Sequence, residues 1–182
     1  MTVQRIVVVG TTGSGKTTLA GQLSERLGLP HVELDALNWG PNWTQRPHEE
    51  FRALVAEATR GDAWVVCGNY SRTRDMLWPR ADTVIWLDYP LPLVLWRLWW
   101  RTLKRFASQE VLWNGNRERL WEHFFTRKSL FLWALQTYGR RRREYPMLFS
   151  QPQNAHLNVV HFHSPRQTEK WFSQLPANQP AI

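Results

Sequence analysis

A layered α/β fold, with a parallel sheet covered by helices on both faces, is what this sequence predicts. Three observations carry the prediction. Short apolar stretches recur along the chain: Val3 to Val9, Val32 to Leu34, Trp64 to Cys67, Thr83 to Leu87 and Leu157 to Phe162. Each is short and mainly apolar, which is how strands buried on both faces read. Helix-period segments separate them, and strands that alternate with helices build parallel sheets.

The elements follow in order. Val3 to Val9 is a β-branched run closed by Gly10. After a glycine-rich turn, Leu19, Leu23 and Leu27 repeat at helical spacing until Gly28 and Pro30 stop them. A second strand, Val32 to Leu34, leads into a loop from Leu37 to Gln45 that carries Trp39, Pro41 and Trp43. Pro47 opens a helix with Phe51, Leu54, Val55 and Ala58 as its apolar face. Between the third and fourth strands, Asn69 to Pro79 is polar and rich in turn residues. Asp88 is read as the cap of a long helix from Pro90 to Phe106. Ala107 to Glu118, broken by Asn114-Gly115-Asn116, reads as an excursion, and Leu120 to Tyr145 as one or two helices. After the fifth strand, Ser164-Pro165-Arg166-Gln167 forms a capping-box pattern that opens a last helix.

The chain has 182 residues, 43% apolar and 21% charged. That suits one domain with a real core and excludes a mainly disordered chain. The domain is expected to run over 1–176, with a frayed tail at 177–182. The longest apolar block, Leu91 to Trp100, is interrupted by Arg97 and too short to cross a bilayer. One cysteine, Cys67, excludes an intrachain disulfide and a cysteine-rich zinc site. With no secretory leader visible, this predicts a reducing, cytoplasmic setting. The net charge of +8 predicts anionic partners. Charge alone leaves nucleotide, nucleic acid and acidic lipid open.

Gly10-Thr11-Thr12-Gly13-Ser14-Gly15-Lys16-Thr17 fits the phosphate-loop pattern G-x-x-x-x-G-K-S/T, the Walker A motif, with no mismatch. It follows a predicted strand and opens a predicted helix, as the chemistry requires. Glycines let successive N–H groups turn inward toward phosphate oxygens, and the helix N-terminus adds partial positive charge. Gly10, Thr12, Gly13, Ser14, Gly15, Lys16, Thr17 and Thr18 are therefore the candidate nucleotide-binding residues. Lys16 would reach the β- and γ-phosphates, and the Thr17 hydroxyl would hold Mg²⁺.

In the helix from Pro90, Leu93, Trp96, Trp100 and Leu103 form one apolar seam, so the helix is expected to be largely buried. Arg97, Arg101 and Arg105 recur along one edge at four-residue spacing. Guanidinium forks suit phosphate oxygens, and phosphoryl transfer needs positive groups around the moving phosphate. Three arginines extending to solvent beside their apolar stems is the plainer alternative.

Taken in order, these motifs resemble the P-loop kinases related to adenylate kinase, shikimate kinase and gluconate kinase. The likeness is closest to the small adenylate-kinase-related group often labelled DNA topology modulation proteins. It covers Ile6 to Phe172 and rests on the phosphate loop, on Leu34-Asp35-Ala36-Leu37-Asn38-Trp39, on Gly68-Asn69-Tyr70-Ser71, and on Leu87-Asp88-Tyr89-Pro90 followed by Trp96-Arg97. The resemblance implies a three-layer fold with the five strands in the order 2-3-1-4-5 and a helical lid at 107–127. It implies transfer of the γ-phosphoryl of Mg-ATP to a small acceptor, perhaps a nucleoside monophosphate. Asp35 would contact the acceptor and Arg72 would hold its anionic group. Arg97 and Arg101 would serve base and phosphates, Arg117, Arg119 and Arg127 would close the lid, and Arg166 would lie beside the adenine. Lys16, Arg72, Arg101 and Asp35 form the candidate catalytic set.

One departure stands out. The third strand of such kinases usually ends in Asp-Gly, whose carboxylate helps hold Mg²⁺ through water. Here it ends in Cys67-Gly68. A thiol is a poor partner for that hard ion, so Asp35 or Glu33 must take over or transfer is weakened. The alternative function is therefore an ATP-binding or slowly hydrolysing regulatory protein acting with DNA or a protein partner. A small-molecule acceptor, no membrane and a monomer or homodimer are expected. Nucleic acid is open but not favoured. Arg140 to Arg143 are read as solvated cations at a helix C-terminus. Trp96, Trp99, Trp100, Trp121 and Trp133 are read as buried bulk, while Trp39 and Trp43 flank the acceptor mouth. His161 and His163 lie on one side of a strand but lack a third ligand, so a structural role is expected.

Overall fold

In the computed structural model, which describes residues 4–109, 111–116 and 130–176, five strands form one parallel sheet. They are β1 (Arg5–Gly10), β2 (His31–Glu33), β3 (Trp64–Cys67), β4 (Thr83–Leu87) and β5 (Asn158–Phe162), in the spatial order β2-β3-β1-β4-β5. Register sets Val8 beside Cys67 on one side and Ile85 on the other, and Gly10 beside Leu87. The carboxyl ends of the three central strands therefore open at one edge, where open α/β sheets place their ligands.

The β-branched strands alternate their side chains between two apolar layers. One layer joins Val7, Val9, Trp64, Val66 and Trp86 to Phe51 and Val55 of α3 (His48–Ala58) and Tyr145 of α6 (Leu130–Phe149). The other joins Ile6, Val8, Val65, Cys67 and Ile85 to Leu19, Ala20 and Leu23 of α1 (Lys16–Leu27) and Val94 of α5 (Leu91–Ala107). Trp171 and Phe172 of α7 (Pro165–Ser173) pack against this second layer. Ser164 caps α7 by accepting from the Gln167 N–H, and Gln167 Oε1 accepts in return from the His163 N–H, so the reciprocal bond of the expected capping box falls one residue before the cap.

Several local expectations are corrected. The stretch read as a loop after β2 holds a short helix, α2 (Leu34–Asn38), and a 3-10 turn at Pro41–Trp43. A further short helix, α4 (Arg74–Leu77), lies between β3 and β4. In α3, Ala58 is exposed and the following Thr59 is buried instead. Asp88 does not cap α5, whose cap position is Pro90 with no side-chain bond. Its carboxylate instead accepts from Arg142 and His161.

α5 also buries a different stripe from the expected one. Val94, Leu98 and Thr102 face inward, while Trp96 and Trp100 are 57% and 54% exposed. Trp99 and Trp133 are exposed as well, and Trp121 lies outside the described residues. The arginine run lies inside α6 rather than at its end, and Arg141 is buried. The lid expected at 107–127 lies largely outside the described residues, as do Arg117, Arg119, Arg127 and the tail. Among the described residues, no helix is long and apolar enough to cross a membrane.

Candidate functional site

The loop between β1 and α1 is built as its sequence requires. Gly13 and Gly15 sit at φ of 83° and 95°, where a side chain is strained. A Cβ on Gly13 would also lie 2.9 Å from the Val94 carbonyl of α5. Gly15 occupies the cap position of α1 with no side-chain bond to the first turn, which leaves helix N–H groups available to an anion. Asn69, just past β3, pins the loop's start. Its Oδ1 accepts from Gly10 N at 3.0 Å and from the Tyr145 hydroxyl at 3.0 Å, while its Nδ2 donates to Gly10 O at 2.6 Å. Arg97 Nη1 donates to Ser14 O at 3.3 Å, with its guanidinium over the Tyr89 ring, so it braces the loop from outside.

The interior of the loop is short of negative charge. Lys16 Nζ donates to Thr11 O at 3.2 Å. Burial, together with the Arg141 and Arg101 guanidinium groups and against the pull of Asp35, pushes the Lys16 ammonium down to about 8. Arg141 is 7% exposed, and its Nη1 has no hydrogen-bond partner among the described residues. Desolvation lowers its pKa as well. A buried donor on a fixed cation is costly unless an anion reaches it. A polyphosphate fits that demand: the Arg141 and Arg101 guanidinium groups lie within electrostatic reach of the Lys16 ammonium, at the uncapped N-terminus of α1.

Beside this space lies an oxygen pair suited to a hard cation. Thr17 Oγ1 donates to Glu33 Oε1 at 2.9 Å, and the other Glu33 oxygen accepts from Trp113 Nε1 at 2.8 Å. Cys67 Sγ lies 3.9 Å from Thr17 Oγ1 and 3.4 Å from His31 Nε2. Burial, reinforced by the Glu33 carboxylate, pushes the Cys67 thiol up to about 12, so it stays neutral. Of the two carboxylates expected to stand in for one on β3, Glu33, at the end of the neighbouring strand β2, is the one bonded to Thr17. The donor set of Thr17 and Glu33 fits Mg²⁺, which takes few protein oxygens and keeps several waters.

On the far side, Asp35 Oδ1 accepts from the Tyr70 hydroxyl at 2.5 Å. Arg72 bonds Asn38 Oδ1 and lies over the Phe51 ring at 4.7 Å. Trp39, Trp43 and Trp113 form an edge-to-face chain, with centroids 6.0 and 6.4 Å apart. Asn116 ties the 111–116 segment to this wall, accepting from Trp43 N and donating to Gly40 O, both at 2.9 Å.

Of the predicted catalytic set, Asp35 and Arg101 are each brought within electrostatic reach of Lys16. Arg72 reaches that group through Tyr70, which responds to both Asp35 and Arg72. Thr12 is half-buried in the loop, and Thr18 is exposed on the first turn of α1. Arg166 is exposed on the first turn of α7. Sequence reasoning missed Arg141 and the clamp made by Asn69. Arg141 carried a usable signal. In a helix that buries Ala134, Thr137, Arg141 and Tyr145, it falls on the inward three-to-four spacing.

No protein-family model matches the chain. An uncharacterized protein of Bacillus subtilis, YqaC, is 28% identical over 130 residues, which cover 70% of this chain and 72% of that protein. A shikimate kinase of Symbiobacterium thermophilum is 38% identical over 99 residues, covering 46% of this chain and 56% of that one. The match therefore spans about half of that enzyme. Among solved structures, shikimate kinase from Bacteroides thetaiotaomicron aligns over 95% of this chain and 96% of its own, at 16% identity and a TM-score of 0.55. Shikimate kinase from Acinetobacter baumannii, solved with shikimate, aligns over 95% and 92%, at 16% identity and a TM-score of 0.57. A sugar kinase from Janibacter aligns over 94% of each chain at 21% identity, with a TM-score of 0.51. This chain has the fold of the P-loop small-molecule kinases. The loop between β1 and α1 follows the motif read from the sequence, and the strand order is the one the resemblance implied. The carboxylate beside Thr17 is that of Glu33, from the end of β2.

Proposed function

We propose that this protein is a kinase that passes the γ-phosphoryl of Mg-ATP to a hydroxyl of a small anionic acceptor. The observation that carries the reading is that Arg101 and Arg141, the latter with a buried Nη1 that lacks a hydrogen-bond partner among the described residues, lie within electrostatic reach of Lys16 in the phosphate loop. Bound Mg²⁺ would supply charge neutralisation on the phosphates, with Thr17 and Glu33 as the residues that hold it.

The chain's own contributions follow from placement. Loop amides and Lys16 fix the donor's phosphates, and the guanidinium groups face the oxygens that gain charge during transfer. Asp35, held by Tyr70, orients the acceptor hydroxyl from the opposite wall. Arg72 binds the acceptor's anionic group on exchange of its Asn38 contact. The tryptophan wall and the 111–116 segment exclude water from that side. An acidic small molecule such as a hydroxylated carboxylate suits this wall, and a nucleoside monophosphate is the second acceptor to try. The likeness to shikimate kinases supports the first choice. The regulatory alternative rests on Cys67, and the Glu33–Thr17 pair weakens it.

The test is a coupled assay of ADP release with ATP and Mg²⁺ against shikimate, gluconate, simple sugars and nucleoside monophosphates. One acceptor is expected to raise ADP release well above the basal rate, and Lys16→Met is expected to remove that rise. Tight ATP binding with no acceptor-dependent ADP across the panel would instead favour the regulatory reading.

A further inference from the structure

A second convergence of donors lies at the carboxyl ends of β4 and β5, on side chains the phosphate site does not use. Asp88, the first residue after β4, is 6% exposed. Its Oδ2 lies 3.2 Å from His161 Nε2 and 3.7 Å from His163 Nδ1. One ligand atom from each of the three residues falls within 4.8 Å of the others. The His161 ring is fixed by stacking on the Trp86 indole, with centroids 3.9 Å apart and planes 5° from parallel.

Zinc bonds of roughly 2.0–2.2 Å to nitrogen and oxygen imply separations of about 3.3–3.6 Å between tetrahedral ligand atoms. The two measured separations bracket that value. The longer one exceeds hydrogen-bond range, so a hydrogen bond does not account for the placement of His163. Arg142 Nε lies 3.0 Å from both carboxylate oxygens, a positive neighbour that an ion must share. That guanidinium is anchored on its own helix by the Tyr138 hydroxyl, at 3.0 Å, and by the Tyr138 ring. It can stay as an outer donor to the carboxylate, the usual support of a ligating carboxyl group. The imidazoles are 32% and 56% exposed, which leaves an entry path and room for a water as fourth ligand.

We propose that Asp88, His161 and His163 form a binding site for a divalent transition-metal ion of the zinc type. Two imidazoles and one carboxylate select such an ion over Mg²⁺, whereas Thr17 and Glu33 offer oxygens alone. The site is independent of the kinase reading and would stand if that reading failed.

The experiment uses the full chain with no polyhistidine tag. Titration with Co²⁺ is expected to give the visible absorption of a low-coordinate cobalt centre at one equivalent, and Zn²⁺ is expected to displace it. His161→Ala and His163→Ala should each weaken Zn²⁺ binding by about 100-fold or more, beyond the 10–100-fold typical of losing an outer-shell partner. Cys67→Ser and His156→Ala should leave it unchanged. Zn²⁺ should raise the melting temperature of the wild type and of neither His161→Ala nor His163→Ala. Circular dichroism establishes that each variant is folded. Absence of uptake by the folded wild type, uptake unchanged in both variants at His161 and His163, or uptake lost in Cys67→Ser would each overturn the proposal.

Discussion

Lys16 shows how one residue ties the phosphate site to solution conditions. Its folded-state pKa of about 8 lies below the ordinary 10.5. Its contribution to stability is therefore fully present above pH 10.5 and is lost as pH falls through about 8. The ligand-free protein should resist urea better at about pH 9 than at about pH 7, and Lys16→Met should flatten that slope. A triphosphate raises the pKa again, so binding near pH 8 should take up a fraction of a proton. Calorimetry in buffers of different ionisation enthalpy measures that uptake. The metal side gives a sharper contrast. Glu33→Gln should weaken Mg²⁺ dependence by about 10–100-fold. Cys67→Asp should lower the melting temperature and bring no gain in turnover, because it buries a second carboxylate beside Glu33. The loop itself was legible from its glycines and Lys16. Glu33 was legible as one of two stand-ins for Cys67, but its bond to Thr17 was not, because that depends on β2 lying next to β3, a contact between residues distant in sequence.

At the scale of elements, α5 separates what periodicity tells from what packing decides. So many of its positions are apolar that the sequence admitted two stripes, and the larger tryptophan residues favoured the wrong one. Contact with the phosphate loop and the sheet selects Val94 and Leu98, which are fully buried. Leu98→Ala is expected to cost about 2–5 kcal/mol in urea unfolding, while Trp96→Ala should stay within about 0.5 kcal/mol. In the turn after β3, Asn69→Ala removes three hydrogen bonds that join the loop to α6. It should cost about 1–3 kcal/mol and weaken ATP binding together with stability, measured by urea melts and calorimetry. Arg140 to Arg143 carried a similar lesson. A run of four like charges reads as one solvated block, yet a helix turns each residue by about 100°, so one member faces the core.

For the whole molecule, the alternation of apolar strands with helices was legible because strand composition and spacing constrain it strongly, while the sheet order came from the family resemblance. The helix boundaries around residues 34–43 and 69–79 were not, since polar turn residues also build short helices. With a net charge of +8, polyanion binding should weaken as salt rises. Thermal melts with ATP and Mg²⁺ should move upward with nucleotide concentration, by RT ln(1 + [L]/Kd) in free energy. The same melts with Lys16→Met should move little, since losing a charge-assisted contact costs about 1.5–3 kcal/mol, or roughly 10–150-fold in affinity.

The buried Arg141 nitrogen has a practical consequence for handling the protein. One nitrogen of this buried guanidinium finds no hydrogen-bond partner among the described residues, so a bound anion should stabilise the protein. Material drawn from cells should emerge with phosphate or nucleotide still aboard, and exhaustive dialysis should leave it at its most fragile. Storage in phosphate or sulfate should extend its shelf life more than chloride at matched ionic strength.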